Sequence, residues 1–149
     1  MRLFALRTEP GVFLSPYDKE AAQTPDEWKA LLALDDGRVF GLFEGSKLIG
    51  ITAVFTWRHD PFRKTAVFAM SYISPEYRGR GLSRFLYDAR LAWVAEHPQF
   101  ERIVVSHRDG NEVSGKANRP FGFEFVRTEQ QDWPDGTSGP ERVYEKRLR

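Results

Sequence analysis

A glycine-containing segment at residues 77–83, Tyr-Arg-Gly-Arg-Gly-Leu-Ser, joins an apolar strand pattern to an amphipathic helix pattern. Residues 65–73 before it are apolar at both sets of alternating positions, which is typical of a strand that is covered on both faces. After it, apolar residues recur at helical spacing on one stripe, namely at Leu82, Phe85, Leu86, Ala89 and Trp93. The order of strand, glycine loop and helix therefore favours a fold that combines helices with a sheet.

The glycine loop is typical of an anion site. Glycines let the backbone turn sharply and approach a ligand, so that N–H groups converge on a phosphate, and the following helix adds its positive N-terminal end. Arg78 and Arg80 flank the glycines, and we expect them to donate to phosphate oxygens, with Arg84 one turn later. Arg90, further along the helix, is predicted on its solvated face. The sequence thus predicts a ligand with a pyrophosphate group.

Two other phosphate-binding loops fit this segment less well. A nucleoside triphosphatase loop needs a Lys directly after its last glycine, whereas Leu82 follows Gly81. A dinucleotide-binding fold places its glycine loop after the first strand of a βαβ unit, whereas this loop lies in the middle of the chain.

Composition limits the classes of protein that remain. A chain of 149 residues with 41% hydrophobic and 29% charged residues fits one compact domain with a real core. The net charge of +1 gives no general attraction to nucleic acid or membrane, and no partner of either kind is predicted. The lack of cysteine excludes disulfides, thiolate metal sites and a covalent cysteine intermediate, and no metal site is predicted. Without an apolar signal or membrane segment, a soluble cytoplasmic protein is expected.

Periodicity and turn signals give the order of the elements. They predict helices at 25–34, from the glycine loop to Pro98, and at 112–119, and strands at 39–43, 48–57, 65–73, 102–107, 124–128 and 142–148. Residues 2–8 fit a helix and a strand equally well. The segment 132–140 is rich in turn residues and is predicted to be a loop. The expected architecture is a mixed sheet with helices on both faces.

Two motifs carry a resemblance to a known family. Residues 72–81, Tyr-Ile-Ser-Pro-Glu-Tyr-Arg-Gly-Arg-Gly, resemble the acetyl-CoA signature of the GNAT superfamily of N-acetyltransferases, whose loop reads Q/R-x-x-G-x-G/A. Arg78 takes its first position and Gly81 its fourth, while Ser83 replaces the usual Gly or Ala. Asn-Glu-Val-Ser at 111–114, followed by Phe-Gly-Phe at 121–123, resembles a second family motif. The resemblance covers residues 47–125, and is fainter over the first 45 residues, where the family's usual first strand has no counterpart.

The resemblance implies a fold and an activity. The fold would be α/β (α+β), with a mixed, mostly antiparallel central sheet and helices on both faces, in a single N-acetyltransferase domain at 1–149. The cosubstrate would be acetyl-CoA, and the acetyl group would pass to a primary amine by direct attack on the thioester. The implied cofactor contacts are Tyr72, Ile73, Arg78, Gly79, Arg80, Gly81, Leu82, Ser83, Asn111, Ser114 and Asn118.

Two residues are candidates for the proton transfers. His107 is predicted to be the general base, because an imidazole changes protonation near neutral pH and the strand 102–107 would end beside the thioester; an exposed or structural histidine is the alternative. Many family members use a Tyr to protonate the CoA sulfur, and the matching residue here is Asn118. An amide is no such acid, so Asn118 is predicted to hydrogen-bond the sulfur, while water, Tyr72 or Ser114 supplies the proton.

A second functional class stays open at this stage. The chain would then be a catalytically weakened CoA-binding or partner-binding module of the same fold, as Asn118 and the missing counterpart of the family's first strand suggest. Trp133, in the predicted loop, is expected to cover the acceptor site or to contact a second copy of the chain in a homodimer. The identity of the amine acceptor does not follow from the motifs.

Overall fold

The computed structural model describes residues 1–148 and contains one six-stranded sheet in the order β1-β2-β3-β4-β6-β5. The strands are β1 (Gly37–Glu44), β2 (Lys47–Thr56), β3 (Thr65–Ile73), β4 (Arg102–Arg108), β5 (Glu124–Asp132) and β6 (Ser138–Arg147). All neighbouring strands run antiparallel except β3 and β4, which are parallel. The predicted mixed, mostly antiparallel sheet is confirmed.

Within residues 1–148, five α-helices accompany the sheet: α1 (Arg2–Thr8), α2 (Tyr17–Ala21), α3 (Pro25–Leu32), α4 (Ser83–Ala95) and α5 (Glu112–Asn118). Two short 3-10 helices lie at Pro75–Tyr77 and Arg119–Phe121. The ambiguous segment 2–8 is thus a helix, and within residues 1–148 the first strand is β1. The capping box that predicts the start of α3 is present, since Thr24 accepts a hydrogen bond from the backbone of Glu27 and the Glu27 carboxylate accepts one from Thr24 N–H. None of the helices over residues 1–148 has the length and apolar character needed to cross a membrane.

The helices lie on both faces of the sheet. On one face, α4 and α5 cover a core that includes Val54, Phe68 and Ile103. On the other, α1 packs on Ile51 and Tyr72 through its buried Ala5. Ile51 and Val54 are separated by three positions on one strand, so they point to opposite faces, as the two clusters require.

A bulge in β3 changes which residues face each helix layer. Ile51 pairs with Tyr72 but Ala53 pairs with Ala69, so β3 carries one extra residue opposite β2. Met70 takes a left-handed conformation there, with φ of 59°. Because side chains alternate along a strand, the extra residue turns Tyr72 away from the face of Phe68 and brings Ser71 onto that face.

The buried stripe of helix α4 matches the predicted one only at Leu86 and Trp93. The buried residues are Leu86, Tyr87, Arg90, Trp93 and Val94, whereas Phe85 is 45% exposed. The prediction that Arg90 belongs to a solvated helix face is wrong, because its side chain lies under β3 and is 1% exposed.

The predicted loop at 132–140 is instead a β-hairpin turn. β5 continues to Asp132 and β6 begins at Ser138, so only residues 133–137 connect them. Trp133 packs into this turn at 4% exposure, and its indole N–H donates to the carbonyl of Gly139. The prediction that Trp133 covers the acceptor site or a second copy is therefore wrong, since its side chain is buried within its own hairpin.

Candidate active site

The parallel strands β3 and β4 separate after a short paired stretch. Their register runs from Thr65 with Arg102 to Val67 with Val104 and continues no further. Beyond it, β3 extends to Ile73 and β4 to Arg108 with no pairing between them. The opening leads into a cavity of about 550 Å³, which we call the cleft. Backbone groups at the facing strand edges are thus free to pair with an extended ligand.

The glycine loop stands beside this opening and leads into α4. Gly79 and Gly81 have φ of 76° and 71°, a left-handed conformation that other residues avoid, and a Cβ atom on either would meet nothing within 4 Å. Helix α4 begins at Ser83 after Leu82, and no side chain caps its first N–H groups. These donors are available to an anion.

The two arginines of the loop are held by the protein itself. Both terminal nitrogens of Arg78 donate to the Glu9 carboxylate, at 3.0 and 2.8 Å, and its Nε donates to the carbonyl of Ile73 at 2.7 Å. The hydrogen bonds to Glu9 raise the pKa of Arg78. Arg80 donates to the carbonyl of Glu76 at 3.1 Å. The N–H groups of Arg78 and Arg80 that are expected to bind phosphate are therefore partly used in hydrogen bonds within the protein. The pair of Arg78 and Glu9 also connects the end of α1 to the glycine loop.

Helix α5 forms the opposite wall of the cleft. Asn111 caps it, since the Asn111 Oδ1 accepts a hydrogen bond from the backbone N–H of Ser114 at 3.3 Å. Val113, Ser114 and Ala117 line the cleft from this helix. Asn111 therefore caps α5 and also lines the cleft.

Arg108, at the end of β4, closes one side of the cleft. Its Nη1 donates to the carbonyl of Gly11 at 3.0 Å and to the Asp135 carboxylate at 2.8 Å. It therefore joins the segment after α1 to the β5–β6 turn. Hydrogen bonds from Thr137 and Arg108 hold the pKa of Asp135 at about 2.

His107 lies in a second cavity, of about 470 Å³, on the other side of α5. Its Nδ1 is 2.7 Å from the carbonyl oxygen of Arg108 and its Nε2 is 3.1 Å from the hydroxyl oxygen of Tyr144. Since a carbonyl oxygen accepts, Nδ1 carries a proton and donates to Arg108, and in the neutral imidazole Nε2 accepts from Tyr144. His107 does not line the cleft.

Two buried side-chain polar atoms have no hydrogen-bond partner within residues 1–148. One is the hydroxyl oxygen of Tyr72, a cleft residue at 4% exposure, and the other is Oδ1 of Asn118. Asn118 lines neither cavity. An unpartnered buried hydroxyl costs stability, and the Tyr72 hydroxyl therefore has an unused hydrogen-bonding capacity on a residue of the cleft.

The structure brings six of the predicted cofactor residues to the cleft: Tyr72, Ile73, Arg78, Ser83, Asn111 and Ser114. Gly79, Arg80, Gly81 and Leu82 form the adjacent loop without lining the cavity, and Asn118 is buried apart from it. Sequence reasoning missed Glu9, Arg90 and Arg108. No local sequence pattern distinguishes Glu9 or Arg108. Arg90 precedes the apolar Trp93 and Val94 by three and four residues, so it shares their helix face, which is a weak sign of burial.

Comparison with known proteins identifies the class of protein that this fold and site define. The acetyltransferase (GNAT) family model matches residues 3–123, and the chain belongs to this family. The resemblance of its two motifs is thereby confirmed. No functionally curated protein matches the sequence significantly.

Solved structures share the fold over nearly the whole chain. A GNAT-family acetyltransferase from Streptococcus pneumoniae superposes with a TM-score of 0.80 at 16% identity, covering 97% of this chain and 90% of its own. A GCN5-related N-acetyltransferase from Kribbella flavida gives 0.77 at 18% identity, with 98% and 88% covered. A putative acetyltransferase from Salmonella typhimurium, solved with its cofactor acetyl-CoA, gives 0.73 at 20% identity, with 97% and 83% covered.

Proposed function

We propose that this chain is a single N-acetyltransferase domain that transfers an acetyl group from acetyl-CoA to a primary amine. The observation that carries the proposal is the junction of three features at one cleft: the separated edges of β3 and β4, the left-handed glycines, and the uncapped start of α4. Together they suit a long ligand with an amide-containing arm and a pyrophosphate. A structure solved with acetyl-CoA shares this fold.

The chain would hold the cosubstrate by its two ends. Backbone N–H groups from Gly79 to Ser83 would bind the pyrophosphate, where the positive end of α4 favours an anion. The free edge of β3 as far as Ile73 would pair with the amides of the pantetheine arm. Asn111 and Ser114 would line the other wall from α5.

The reaction requires no covalent enzyme intermediate. The amine nitrogen attacks the thioester carbonyl, a C–N bond forms, the C–S bond breaks, and the thiolate leaves with a proton. Backbone N–H groups at the bulged edge of β3 would stabilise the negative charge on the carbonyl oxygen. The proton that the amine loses near the moment of attack balances the one that the thiolate gains, so the products are an amide and the CoA thiol.

We assign the proton donor for the thiolate to Tyr72. Its phenol hydroxyl is buried and unpartnered on a cleft residue, so a ligand atom would supply its missing hydrogen bond. His107 and Asn118 stay predictions as catalytic residues, and their positions outside the cleft lining argue against direct contact with the reacting atoms.

The substitution Tyr72→Phe tests this assignment. Removing an unpartnered buried hydroxyl should leave stability unchanged or raise it by up to about 1–3 kcal/mol. We expect turnover to fall by about 10²-fold or more while the affinity for CoA is kept, because a general acid contributes on this scale. Thiol release with a panel of primary amines gives turnover, and calorimetry gives affinity. Unchanged turnover would remove Tyr72 from the mechanism.

The same amine panel separates an enzyme from a binding module. We expect CoA thiol release that depends on an amine and an acetylated amine product in equal amount. Binding of CoA with no amine-dependent release would favour the catalytically weakened module instead.

A further inference from the structure

Arg90 is a buried cation on the floor of the cleft. Its side chain is 1% exposed, yet it lines the cavity together with Ser71 and Tyr87. The guanidinium lies against two aromatic rings, 4.3 Å from the ring centre of Phe68 and 4.6 Å from that of Tyr87. Its Nε donates to the carbonyl of Leu86 and its Nη1 to the hydroxyl of Ser71, both at 3.0 Å.

The charge of Arg90 has no carboxylate partner within residues 1–148. Several more exposed arginines have carboxylate partners, as Arg78 does in Glu9 and Arg108 does in Asp135. Burial lowers the pKa of Arg90 to about 10, so the side chain remains a cation at neutral pH. The oxygens of Leu86 and Ser71, a hydrogen bond with the Tyr87 side chain and the two ring faces are all neutral partners. Such partners compensate a buried charge only in part, and an anion is the natural remaining partner.

The position of Arg90 separates it from the pyrophosphate. It lies two helical turns beyond Ser83, which is about 10 Å along the axis of α4. Its partner Ser71 is exposed and belongs to the bulge of β3, where the strand edge is free. An anion at Arg90 would therefore lie near the reacting end of the bound thioester.

The anion that Arg90 would bind is expected to belong to the acyl group of the CoA thioester rather than to the amine substrate. Arg90 lies on the face of the sheet that α4 covers, the helix whose start would hold the pyrophosphate. The segments joined by Arg108, which follow α1 and form the β5–β6 turn, lie at the other side of the cleft. A group that extends from the acyl carbon toward α4 reaches Arg90 first.

We propose that Arg90 binds a carboxylate at the far end of the acyl chain, so that the cleft takes the CoA thioester of a short dicarboxylic acid in preference to an unsubstituted one. This inference rests on the proposed acyl transfer and specifies its donor. The amine still attacks the thioester carbonyl, the C–N bond forms and the C–S bond breaks. The carboxylate is unchanged and only anchors the acyl chain.

The first test compares donors on the wild-type chain. Succinyl-CoA and butyryl-CoA have acyl chains of equal length and differ in the terminal carboxylate. We expect succinyl-CoA to bind at least about tenfold more tightly than butyryl-CoA, as a charge-assisted hydrogen bond predicts. Equal binding, or tighter binding of butyryl-CoA, overturns the proposal while leaving acetyl transfer intact. A chain that binds neither CoA nor acetyl-CoA overturns both.

The second test removes the cation. Arg90→Met should abolish the preference for succinyl-CoA without changing the affinity for CoA, and Arg90→Lys should restore part of it. Arg38→Met, which removes an exposed charge from β1, is the matched control and should keep the preference. An equal loss of affinity for CoA, acetyl-CoA and succinyl-CoA in a folded Arg90→Met would give Arg90 a merely structural role and overturn the proposal. The wild-type comparison stands even where this variant does not fold.

The third test distinguishes the source of the carboxylate. With acetyl-CoA saturating, alanine and alaninamide are compared as acceptors for the wild type and Arg90→Met. We expect the variant to leave their ratio of kcat/KM unchanged. A preference for alanine that is lost in Arg90→Met, with no preference among donors, would assign the site to the acceptor and overturn the proposed donor.

Discussion

The conformation of Gly81 gives a sharp test of the glycine loop. The residue has φ of 71°, and a Cβ atom there would touch nothing within 4 Å, so Gly81→Ala introduces backbone strain without a clash. A non-glycine residue in this region costs about 1–2 kcal/mol. If the unliganded loop relaxes to remove the strain, CoA binding must force it back into the strained conformation. The strain energy is then lost from the binding free energy, and the affinity for CoA falls by about 5–30-fold. If the loop keeps its shape, the cost appears as lower stability.

Gly45 provides the matched control. It lies in the turn between β1 and β2 with φ of 59° and also has no atom within 4 Å of a built Cβ. Gly45→Ala should lower the melting temperature by roughly 2–4 °C per kcal/mol of strain and leave the affinity for CoA unchanged. Calorimetric titration with CoA and thermal unfolding measure the two quantities. Unchanged affinity for CoA together with unchanged stability in Gly81→Ala would refute the strain at this residue. Equal losses of CoA affinity in Gly81→Ala and Gly45→Ala would refute the assignment of the loop to the pyrophosphate.

Three further results are expected. The pKa of Asp135 is held at about 2 in the folded state, below its ordinary 3.8, so its contribution to stability is present above pH 3.8 and is lost as the pH falls through about 2. Asp135→Asn should therefore reduce the loss of stability over that pH range in acid unfolding. A variant whose acid-unfolding profile is identical to that of the wild type would contradict this. Trp133→Ala should cost about 3–5 kcal/mol in urea unfolding, whereas a cost below about 0.5 kcal/mol would mean an exposed ring. His107→Ala should lower stability by removing the contact with Tyr144 and leave the midpoint of the pH–rate profile in place; a displaced midpoint would restore His107 as the base.

The elements that sequence predicts well are those fixed by neighbouring residues. The capping box of Thr24 and Glu27 needs only four consecutive residues, and the strand, glycine loop and helix around Gly81 follow one another directly. The hairpin at 132–140 does not follow from sequence, because the frequent turn residues there indicate a loop. Pro140 is tolerated in β6 because it lies just beyond the register with β4, which begins at Glu141, and contributes only its carbonyl on that side, where it accepts a hydrogen bond from the N–H of Asp109.

The parts of the site that sequence did not predict depend on distant residues. The left-handed Met70 has no sequence signal, since the register of β2 against β3 imposes the bulge. That bulge places Ser71 beside Arg90, so neither the burial of Arg90 nor its contact follows from the helical pattern of α4. Arg78 had the sequence position of a phosphate ligand, but Glu9 lies far away in the chain and its pairing with Arg78 is set by the fold.

The central claim is that the cleft binds acetyl-CoA, and thermal unfolding with acetyl-CoA, CoA, ATP and NAD in parallel tests it most directly. Acetyl-CoA and CoA at about 100 times their dissociation constants should each stabilise the chain by roughly 2.7 kcal/mol, and ATP and NAD should not. No stabilisation, or an equal effect of ATP, would reduce the loop to a general anion site and contradict the account.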